Sequence, residues 1–290
     1  MRITVRVPAT SANLGPGFDC FGLALDLCNE IIVDTNAEPG VTWEGEGAEE
    51  LPTDGSDMVS RAMQHTFEQR RFHPDAGLPP FALHGVNRIP LERGLGSSSA
   101  AAVAGIAAAE MLLGVEAGED RSDSRYRYAA ELEGHPDNAA PASYGGFTIV
   151  ADAVHRFDPH PDLRPAILIP TTRLPTRDAR RALTLEVSLD VAVFNIARAG
   201  LLVTAITREP RLLGEALEDR LHQGVRLALV PEVRQVFDRV HRDMPVCVSG
   251  AGPSLLAFET TDVRVPDLPE GWQVLRVPTR ARGCEVDVEG

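Results

Sequence analysis

Short alternating apolar segments and longer helical patterns follow one another along the N-terminal half of the chain. Ile3, Val5 and Val7 lie on one face of an alternating segment, which predicts a first β-strand. Strands of the same kind are predicted at 30–34, 81–86 and 146–151. Apolar or small residues recur at helical spacing in three further segments, which predicts helices at 57–72, 98–113 and 125–133.

The C-terminal half is predicted to be richer in helix. Its helices are expected at 177–183, 189–206, 212–221 and 231–242, and its strands at 166–169, 246–248 and 255–258. Five prolines fall between residues 155 and 175, a density that is typical of a connection between two lobes. The interleaved strands and helices therefore predict an α+β fold with two lobes, an N-terminal domain at 1–155 and a C-terminal domain at 156–290.

Composition narrows the range of partners. The chain has 290 residues, 43% of them apolar and 24% charged, which is ordinary for a soluble globular protein. Its 42 acidic and 28 basic residues give a formal charge of −14. Nucleic acids and anionic membranes both require positive surface, so neither is expected as a partner. The four cysteines fit neither a zinc site nor a disulfide framework, and the first residues do not resemble a signal peptide; we expect a cytoplasmic protein.

All 28 basic residues are arginine, and lysine is absent from the sequence. This excludes Schiff-base lysines, the phosphate-binding lysine of Walker-type loops, and lysine general bases. Any anion that the protein binds must be held by arginine, by backbone N–H groups, by a helix N-terminus or through a metal ion.

A glycine- and serine-rich segment before the predicted helix at 98–113 is the strongest candidate for such a site. Two glycines separated by one residue allow close backbone approach, and three serines follow at the start of an alanine-rich helix, where N–H groups are unsatisfied. The alternative is a tight turn capped by serine before a closely packed helix. The candidate phosphate-binding residues are Pro90, Leu91, Glu92, Arg93, Gly94, Leu95, Gly96, Ser97, Ser98, Ser99 and Ala100.

Three segments, in order, resemble the motifs of the GHMP kinase superfamily. The segment Pro-x-x-x-Gly-Leu-Gly-Ser-Ser at 90–98 resembles its phosphate-binding motif, and 249–254 (Ser-Gly-Ala-Gly-Pro-Ser) resembles its C-terminal glycine motif. Residues 8–25 are similar to the N-terminal signature of the homoserine kinase branch. The resemblance spans almost the whole chain and implies a two-lobed α+β fold with ATP in the cleft between the lobes. It also implies a homodimer.

The resemblance implies that ATP phosphorylates the side-chain hydroxyl of L-homoserine to give O-phospho-L-homoserine, a step of threonine biosynthesis. One alternative keeps the superfamily but changes the acceptor to mevalonate or a sugar. Another is a non-catalytic regulator on the same fold. Phosphoryl transfer also needs a metal with an acidic ligand. By resemblance, Ser98 and Glu133 are the expected Mg²⁺ ligands, with Glu131 as the second choice for the carboxylate.

The acceptor site is assigned by the same resemblance. Arg180 and Arg226 match arginines expected to grip the substrate carboxylate, with the neighbouring Arg181 as a control. The residues expected to contact the ammonium and the hydroxyl are Asn13, Asp19, His135 and Asn138.

Catalysis is assigned to Asn138, Asp137 and Asp19. Asp137 lies where other members of the superfamily carry a catalytic aspartate. Our hypothesis is that Asn138 and Asp19 orient the hydroxyl and that no side chain is an essential base, because a loose transition state needs little early deprotonation. The sequence departs from the family pattern in the segment expected to contact adenine. Members of the family often carry an asparagine before a Leu-Val or Ile-Val pair there, whereas this sequence reads Asp57-Met58-Val59.

Overall fold

The computed structural model describes residues 1–69, 77–116, 118–183 and 186–289. The strands are β1 (Arg2–Ala12), β2 (Phe21–Asp34), β3 (Gly40–Gly45), β4 (Ala82–Asn87), β5 (Phe147–Val150), β6 (Val154–Phe157), β7 (Arg164–Ile169), β8 (Val246–Val248), β9 (Leu255–Glu259), β10 (Gln273–Arg276) and β11 (Glu285–Glu289). The helices are α1 (Met58–Gln69), α2 (Ser97–Leu112), α3 (Ser122–Glu133), α4 (Pro136–Tyr144), α5 (Thr176–Arg181), α6 (Leu189–Thr207), α7 (Leu213–Ala216), α8 (Gln223–Leu229) and α9 (Pro231–Val240).

The first sheet is built around β1 and β2, which pair antiparallel from Arg2↔Asp34 to Ala12↔Gly22. A register shift between Pro8 and Ala9 divides this ladder in two. Strands β4 and β5 also pair with β2, β3 lies parallel to β4, and β6 pairs with β5. Helices α1, α2 and α4 bury their apolar residues in the same core as β1 and β2, so the end of β1 is held rigidly where it leads to Asn13.

The second sheet has the strand order β10-β7-β9-β8, all antiparallel. Ala166, Leu168 and Leu255 lie on one face of this sheet and pack against α8 and α9. Together they form an apolar cluster that is separate from the core of the first sheet. The chain then returns to the first sheet, because β11 pairs antiparallel with β1 from Arg2↔Glu289 to Arg6↔Glu285. The α+β fold expected from the sequence is confirmed. The domain boundary at 155 stays a prediction; β6 runs across it.

The helix predicted at 212–221 is confirmed only at its start. Residues 210–212 form a 3-10 turn, α7 covers Leu213–Ala216, and residues 217–221 are not helical. The cause is Asp219, whose carboxylate accepts hydrogen bonds from the N–H groups of Leu221, His222 and Gln223. These bonds hold residues 219–223 in a turn that separates α7 from α8, and α8 begins at Gln223. The end of the predicted helix at 57–72 lies outside the described residues.

Helix α6 is the one described helix long and apolar enough to cross a membrane by length and composition. A helix in the core of a globular protein passes the same test. Asn195, Leu202, Ala205 and Ile206 of α6 are buried, and the last three belong to the main apolar core. This packing accounts for one apolar face of α6.

Candidate active site

A cavity of about 230 Å³ lies where the phosphate-loop candidate faces residues from both halves of the chain. The N-terminal half supplies Asn13, the loop and the junction between α3 and α4, while the C-terminal half supplies side chains of α5 and α8. The lining residues are Asn13, Pro90, Glu92, Arg93, Gly94, Leu95, Gly96, Ser97, Ser98, Ser99, Glu133, His135, Asp137, Asn138, Thr176, Arg180, Arg226, Gly250 and Ala251.

Two glycines of the loop have backbone conformations that other residues rarely adopt. Gly94 and Gly96 have φ of 71° and 69°. A Cβ atom added at Gly94 would lie 2.1 Å from the carbonyl oxygen of Ser249, and one at Gly96 would lie 1.9 Å from the Thr10 hydroxyl. Both positions therefore require glycine for space as well as for conformation.

The three sequence motifs meet at this loop. The Ser249 hydroxyl donates to the Gly94 carbonyl at 2.8 Å and lies 2.9 Å from the Ser11 hydroxyl. The backbone N–H of Thr10 donates to Leu95 O at 3.0 Å, and that of Gly250 donates to Ala12 O at 3.0 Å. The loop is thus fixed by the N-terminal and C-terminal motifs together.

Helix α2 begins at Ser97, directly after Gly96. The N–H groups of a helix's first turn have no partner within the helix, so those of Ser97, Ser98 and Ser99 are available to an anion. The N–H of Ala100 already donates to Gly96 O, and Ala100 is fully buried. The backbone N–H groups that are free to hold an anion here therefore extend to Ser99, and no lysine lies among these residues.

The Arg93 side chain takes a structural part in the loop. Its Nε donates to Pro170 O at 3.0 Å, and an Nη donates to Thr171 O at 2.5 Å. These bonds tie the phosphate loop to the chain that follows β7. The guanidinium is therefore engaged by two carbonyl groups, and burial lowers its pKa.

Ser98 and Glu133 form an oxygen-rich pair beside the loop. The Ser98 hydroxyl donates to Glu133 Oε1 at 2.9 Å, and burial raises the pKa of the Glu133 carboxyl. Glu131 is exposed and lies in a surface depression with Asp120 and Arg127, so the geometry favours Glu133. Hydroxyl and carboxylate oxygens are suitable ligands for Mg²⁺, which ordinarily completes its shell with phosphates and water. In the described part of the chain, no cluster of three or more His, Cys, Asp or Glu side chains could hold a metal.

An ion pair beside the cavity joins the N-terminal and C-terminal halves of the chain. Arg180 donates to Asp19 at 2.8 Å, and both side chains are about one-third exposed. Asp19 has φ of 55° and its N–H donates to Asn13 Oδ1 at 3.0 Å, so Asn13 holds the turn that presents the carboxylate. The Nε of Arg180 is buried without a partner.

The junction between α3 and α4 supplies three more predicted residues. Pro136 starts α4, and Asp137 and Asn138 follow in its first turn. Asn138 Oδ1 accepts a hydrogen bond from Thr10 Oγ1 at 2.8 Å. The pKa of Asp137 is raised to about 6 by burial and by the negative charge of Asp19, and its Oδ1 is buried without a partner. Burial and the charge of Arg180 lower the pKa of His135.

Arg226 reaches the same cavity from α8. It is 3% exposed, donates to Gly250 O at 2.7 Å, and lies 3.1 Å from His222 Nδ1. Burial lowers its pKa to about 10, and its Nε is buried without a partner. The structure therefore brings Arg180 and Arg226 to one cavity although 46 residues separate them in the sequence.

A second cavity of about 340 Å³ shares Ser97 and Ser98 with the first and is lined by Trp43, Met58 and Leu91. Asp57, at which the sequence departs from the family pattern, also lines this cavity. Asp57 accepts hydrogen bonds from the N–H and the hydroxyl of Ser60, at 2.9 and 2.6 Å. Its carboxylate therefore caps α1.

Some cavity residues were not among the predicted site residues. Thr176 precedes Arg180 by one helical turn, and Gly250 and Ala251 belong to the C-terminal glycine motif, to which no individual site residues were assigned. Thr10, which holds Asn138, lies inside the N-terminal signature and carries no signal of its own. A search for polar residues one turn before Arg180 would have found Thr176.

The fold and the loop define a GHMP-type kinase. The family described as GHMP kinases N terminal domain matches residues 57–146, which contain the phosphate loop and Glu133. The mevalonate kinase of Methanococcus jannaschii has the same fold, with a TM-score of 0.66 at 12% identity over 95% of this chain and 98% of that one.

More similar proteins identify the family within that class. The homoserine kinase of Clavibacter michiganensis is 44% identical over 265 residues, covering 89% of this chain and 82% of the relative. That of Streptomyces avermitilis is 41% identical over 298 residues, covering 98% and 95%. The crystal structure of homoserine kinase from Cytophaga hutchinsonii superposes with a TM-score of 0.82 at 26% identity, covering 99% and 97%. The chain belongs to the homoserine kinase family.

Proposed function

We propose that the protein transfers the γ-phosphoryl group of ATP to the side-chain hydroxyl of L-homoserine, forming O-phospho-L-homoserine for threonine biosynthesis in the cytoplasm. The observation that carries the proposal is the Asp19–Arg180 ion pair beside the lysine-free phosphate loop. The acceptor and the nucleotide phosphates would then meet in one cavity. This arrangement supports direct transfer between two bound substrates.

The ion pair is complementary to an amino-acid zwitterion. An α-carboxylate can bind the Arg180 guanidinium while the α-ammonium binds the Asp19 carboxylate, so that each charge of the substrate meets an opposite charge. Arg226, with its buried Nε, offers a second cation for the carboxylate. Mevalonate has no ammonium group and a sugar has neither charge, so either would leave Asp19 without a cationic substrate group.

The nucleotide is expected to lie across both cavities. Its phosphates would bind the N–H groups of Gly94–Ser99, and its base would occupy the apolar cavity lined by Trp43, Met58 and Leu91. Ser98 and Glu133 would hold Mg²⁺, which neutralises charge on the phosphates during transfer. Asp57 caps α1, so we expect adenine recognition to rest on shape and backbone groups.

Asn138 and Asp19 are proposed to orient the acceptor hydroxyl. Thr10 fixes Asn138 Oδ1, which leaves the amide N–H groups of Asn138 to donate to the hydroxyl oxygen. Asp19 can accept from the ammonium or the hydroxyl. Asp137 lies next to them, and we propose that its charge influences the site without making it an essential base.

A coupled assay of ADP release tests the acceptor directly. Separate reactions would contain L-homoserine, mevalonate, galactose or no acceptor. We expect activity with homoserine at least ~10-fold above that with mevalonate, which lacks the ammonium, and at least ~100-fold above that with galactose, which lacks both charges, because each lost charge-assisted bond costs roughly tenfold. Higher activity with mevalonate or galactose than with homoserine would indicate another acceptor class. The absence of ADP release in all four reactions would indicate a non-catalytic regulator.

Replacement of Ser98 tests the metal assignment. Ser98→Ala is expected to lower kcat by about 10²-fold, because a metal that loses a ligand no longer stabilises the developing phosphate charge as well. Ser98 is exposed, so the melting temperature should not change. Ser122, which begins α3, is a matched control, since Ser122→Ala should leave both quantities unaltered. Near-normal turnover of Ser98→Ala would remove this hydroxyl from the metal shell.

Replacement of Asp137 tests the need for a base and also has a pH-dependent effect on stability. Asp137→Asn should change kcat by less than ~10-fold, because a loose transition state needs little deprotonation. The folded-state pKa of about 6 lies above the ordinary value of 3.8, so ionisation of Asp137 destabilises the fold as pH rises through 6. The variant should therefore gain roughly 3 kcal/mol at pH 8 and about half as much at pH 5, measured by denaturant unfolding.

The contrary outcome for Asp137 is equally definite. A loss of turnover of ~10³-fold or more with unchanged KM for homoserine would make Asp137 a required general base.

A further inference from the structure

His222 is a buried histidine outside the predicted site, and it contacts two parts of that site. It is 1% exposed and precedes the first residue of α8. One ring nitrogen, Nε2, lies 2.7 Å from Gly15 O, in the turn between Asn13 and Asp19. The other, Nδ1, lies 3.1 Å from an Nη atom of Arg226.

These two partners determine the tautomer of the ring. A carbonyl oxygen can only accept a hydrogen bond, so Nε2 must carry the proton that it donates to Gly15 O. A guanidinium can only donate, so Nδ1 must be unprotonated and accept from Arg226. A doubly protonated imidazolium would lose the bond to Arg226 and place two cations 3.1 Å apart.

The surroundings keep His222 neutral and fixed in place. Burial and the charge of Arg226 lower its pKa to about 4, although Asp219, whose Oδ2 is 3.8 Å from Nε2, opposes that effect. Asp219 also accepts the backbone N–H of His222 at 2.8 Å and the Asn195 amide at 2.6 Å. The imidazole packs against Phe18, with ring centroids 5.4 Å apart, and Phe18 directly precedes Asp19. The described charged groups that face the ring are thus Asp219 and Arg226.

Phe18 also links the same two elements by a second route. The Arg226 guanidinium carbon lies 5.4 Å from the centroid of the Phe18 ring, within the range of a cation–π contact. The Arg226 guanidinium is therefore held by Gly250 O, by His222 Nδ1 and by the Phe18 ring. His222 is the one of these residues that also makes a hydrogen bond to the Asn13–Asp19 turn, through Gly15 O.

We infer that His222 is a positioning residue for acceptor binding: its neutral Nε2–H tautomer fixes the guanidinium of Arg226 relative to the turn that carries Asn13 and Asp19. This inference rests on the proposed function, in which Arg226 and that turn contact the amino-acid acceptor. Loss of the Nδ1 acceptor frees Arg226 to rotate and weakens its grip on the substrate carboxylate. The nucleotide cradle is made by other residues, so ATP binding does not depend on His222.

Two amide variants separate the two hydrogen bonds. The Asn amide oxygen is two bonds from Cβ, as is His Nδ1, so His222→Asn keeps an acceptor for Arg226. The Gln amide nitrogen is three bonds from Cβ, as is His Nε2, so His222→Gln keeps the donor to Gly15 O and loses the acceptor. We expect KM for homoserine to rise about tenfold in His222→Gln and less than about threefold in His222→Asn, with KM for ATP within twofold in both.

A double-mutant cycle tests whether the effect passes through Arg226. In an Arg226→Ala background, His222→Gln should raise KM for homoserine less than twofold further, because the group that it positions is gone. Gln223 is the matched control, since it is buried beside His222 and bonds Leu217 O and the N–H of Val248. Gln223→Met should lower the melting temperature and leave the two KM values unchanged, which separates general destabilisation from positioning.

The wild-type protein provides a test that does not require a folded variant. Nitrogen-15 NMR of histidine-labelled protein should show His222 as the neutral Nε2–H tautomer at pH 7. An Nδ1–H tautomer or an imidazolium at that pH would overturn the inference, as would equal KM values for the two amide variants or a fully multiplicative cycle. If wild-type protein fails to phosphorylate homoserine, the proposed function fails instead, and the NMR result still decides the tautomer.

Discussion

Gly94→Ala is expected to lower kcat/KM for ATP by at least ~10²-fold, because a methyl group at this position would displace the loop proposed to bind the phosphates. Two effects contribute to this displacement. A non-glycine residue with positive φ costs roughly 1–2 kcal/mol. The new Cβ would also lie 2.1 Å from Ser249 O and 2.8 Å from Gly252 O, which are backbone atoms that no side-chain rotation can move. The loop must then shift away from the third motif, and its N–H groups no longer converge on one anion.

Gly114→Ala separates backbone strain from displacement of the loop. Gly114 has φ of 83°, and no atom lies within 4 Å of the Cβ that alanine would add. The control should therefore lower the melting temperature through strain alone and leave kcat/KM for ATP unchanged. Steady-state kinetics should be compared at a temperature at which circular dichroism shows both variants folded. Equal kinetic losses in the two variants would mean that the close packing of Gly94 does not shape the nucleotide site.

Arg180→Ala is expected to raise KM for homoserine by about 10²-fold, because a hydrogen bond between charged groups contributes roughly 1.5–3 kcal/mol. The variant removes the proposed carboxylate ligand and leaves Asp19 without its cation. KM for ATP should remain within twofold, since Arg180 makes no contact with the loop's N–H groups in this arrangement. Steady-state kinetics with each substrate varied in turn will separate the two effects.

Arg181→Ala is the control for Arg180. Arg181 is exposed on the same short helix, α5, and is not among the residues that line the cavity. Its removal changes the net charge by the same amount, so long-range electrostatics are matched. We expect both KM values to stay within twofold. Equal increases of KM for homoserine in the two variants would contradict the carboxylate assignment.

The sequence predicted the parts of the fold that have strong local signals. Alternation of Ile3, Val5 and Val7 located β1, and the alanine run after Gly96 located α2. Helix α4 was missed because Pro136 and Pro141 both resemble loop signals, whereas Pro136 stands at the first helical position, where proline is tolerated. Strand β11 was missed because its pairing with β1 joins residues about 280 positions apart, which no local pattern can reveal.

The candidate site was predictable as a set of residues but not as an arrangement. The sequence motifs indicated Asp19, Arg180 and Arg226 as separate residues. Only the fold shows that Asp19 and Arg180 form an ion pair and that Arg226 is buried beside His222. The raised pKa of Asp137 depends on burial and on the nearby charge of Asp19, which is 118 positions away in the sequence. Desolvation of this kind is a tertiary effect, so residue type and spacing could not predict it.

The absence of lysine gives the phosphate site its main physical constraint. Backbone N–H groups at the start of α2 have fixed directions, and the helix dipole adds partial positive charge at that end. Ser11, Thr10 and Ser249 hold the loop in place, so the cradle needs little rearrangement when an anion binds. The arginine of the loop, Arg93, is engaged by Pro170 O and Thr171 O, so we propose that the backbone makes most of the contacts with the phosphates.

A crystal structure of the protein with Mg²⁺ and a non-hydrolysable ATP analogue will show whether the backbone of this loop binds the phosphates. We expect the β- and γ-phosphate oxygens to lie about 2.7–3.2 Å from backbone nitrogens between Gly94 and Ser99. The metal should lie between Ser98, Glu133 and those oxygens. Phosphates bound instead at arginine side chains such as Arg173, with no contact to the N–H groups of the loop, would contradict it.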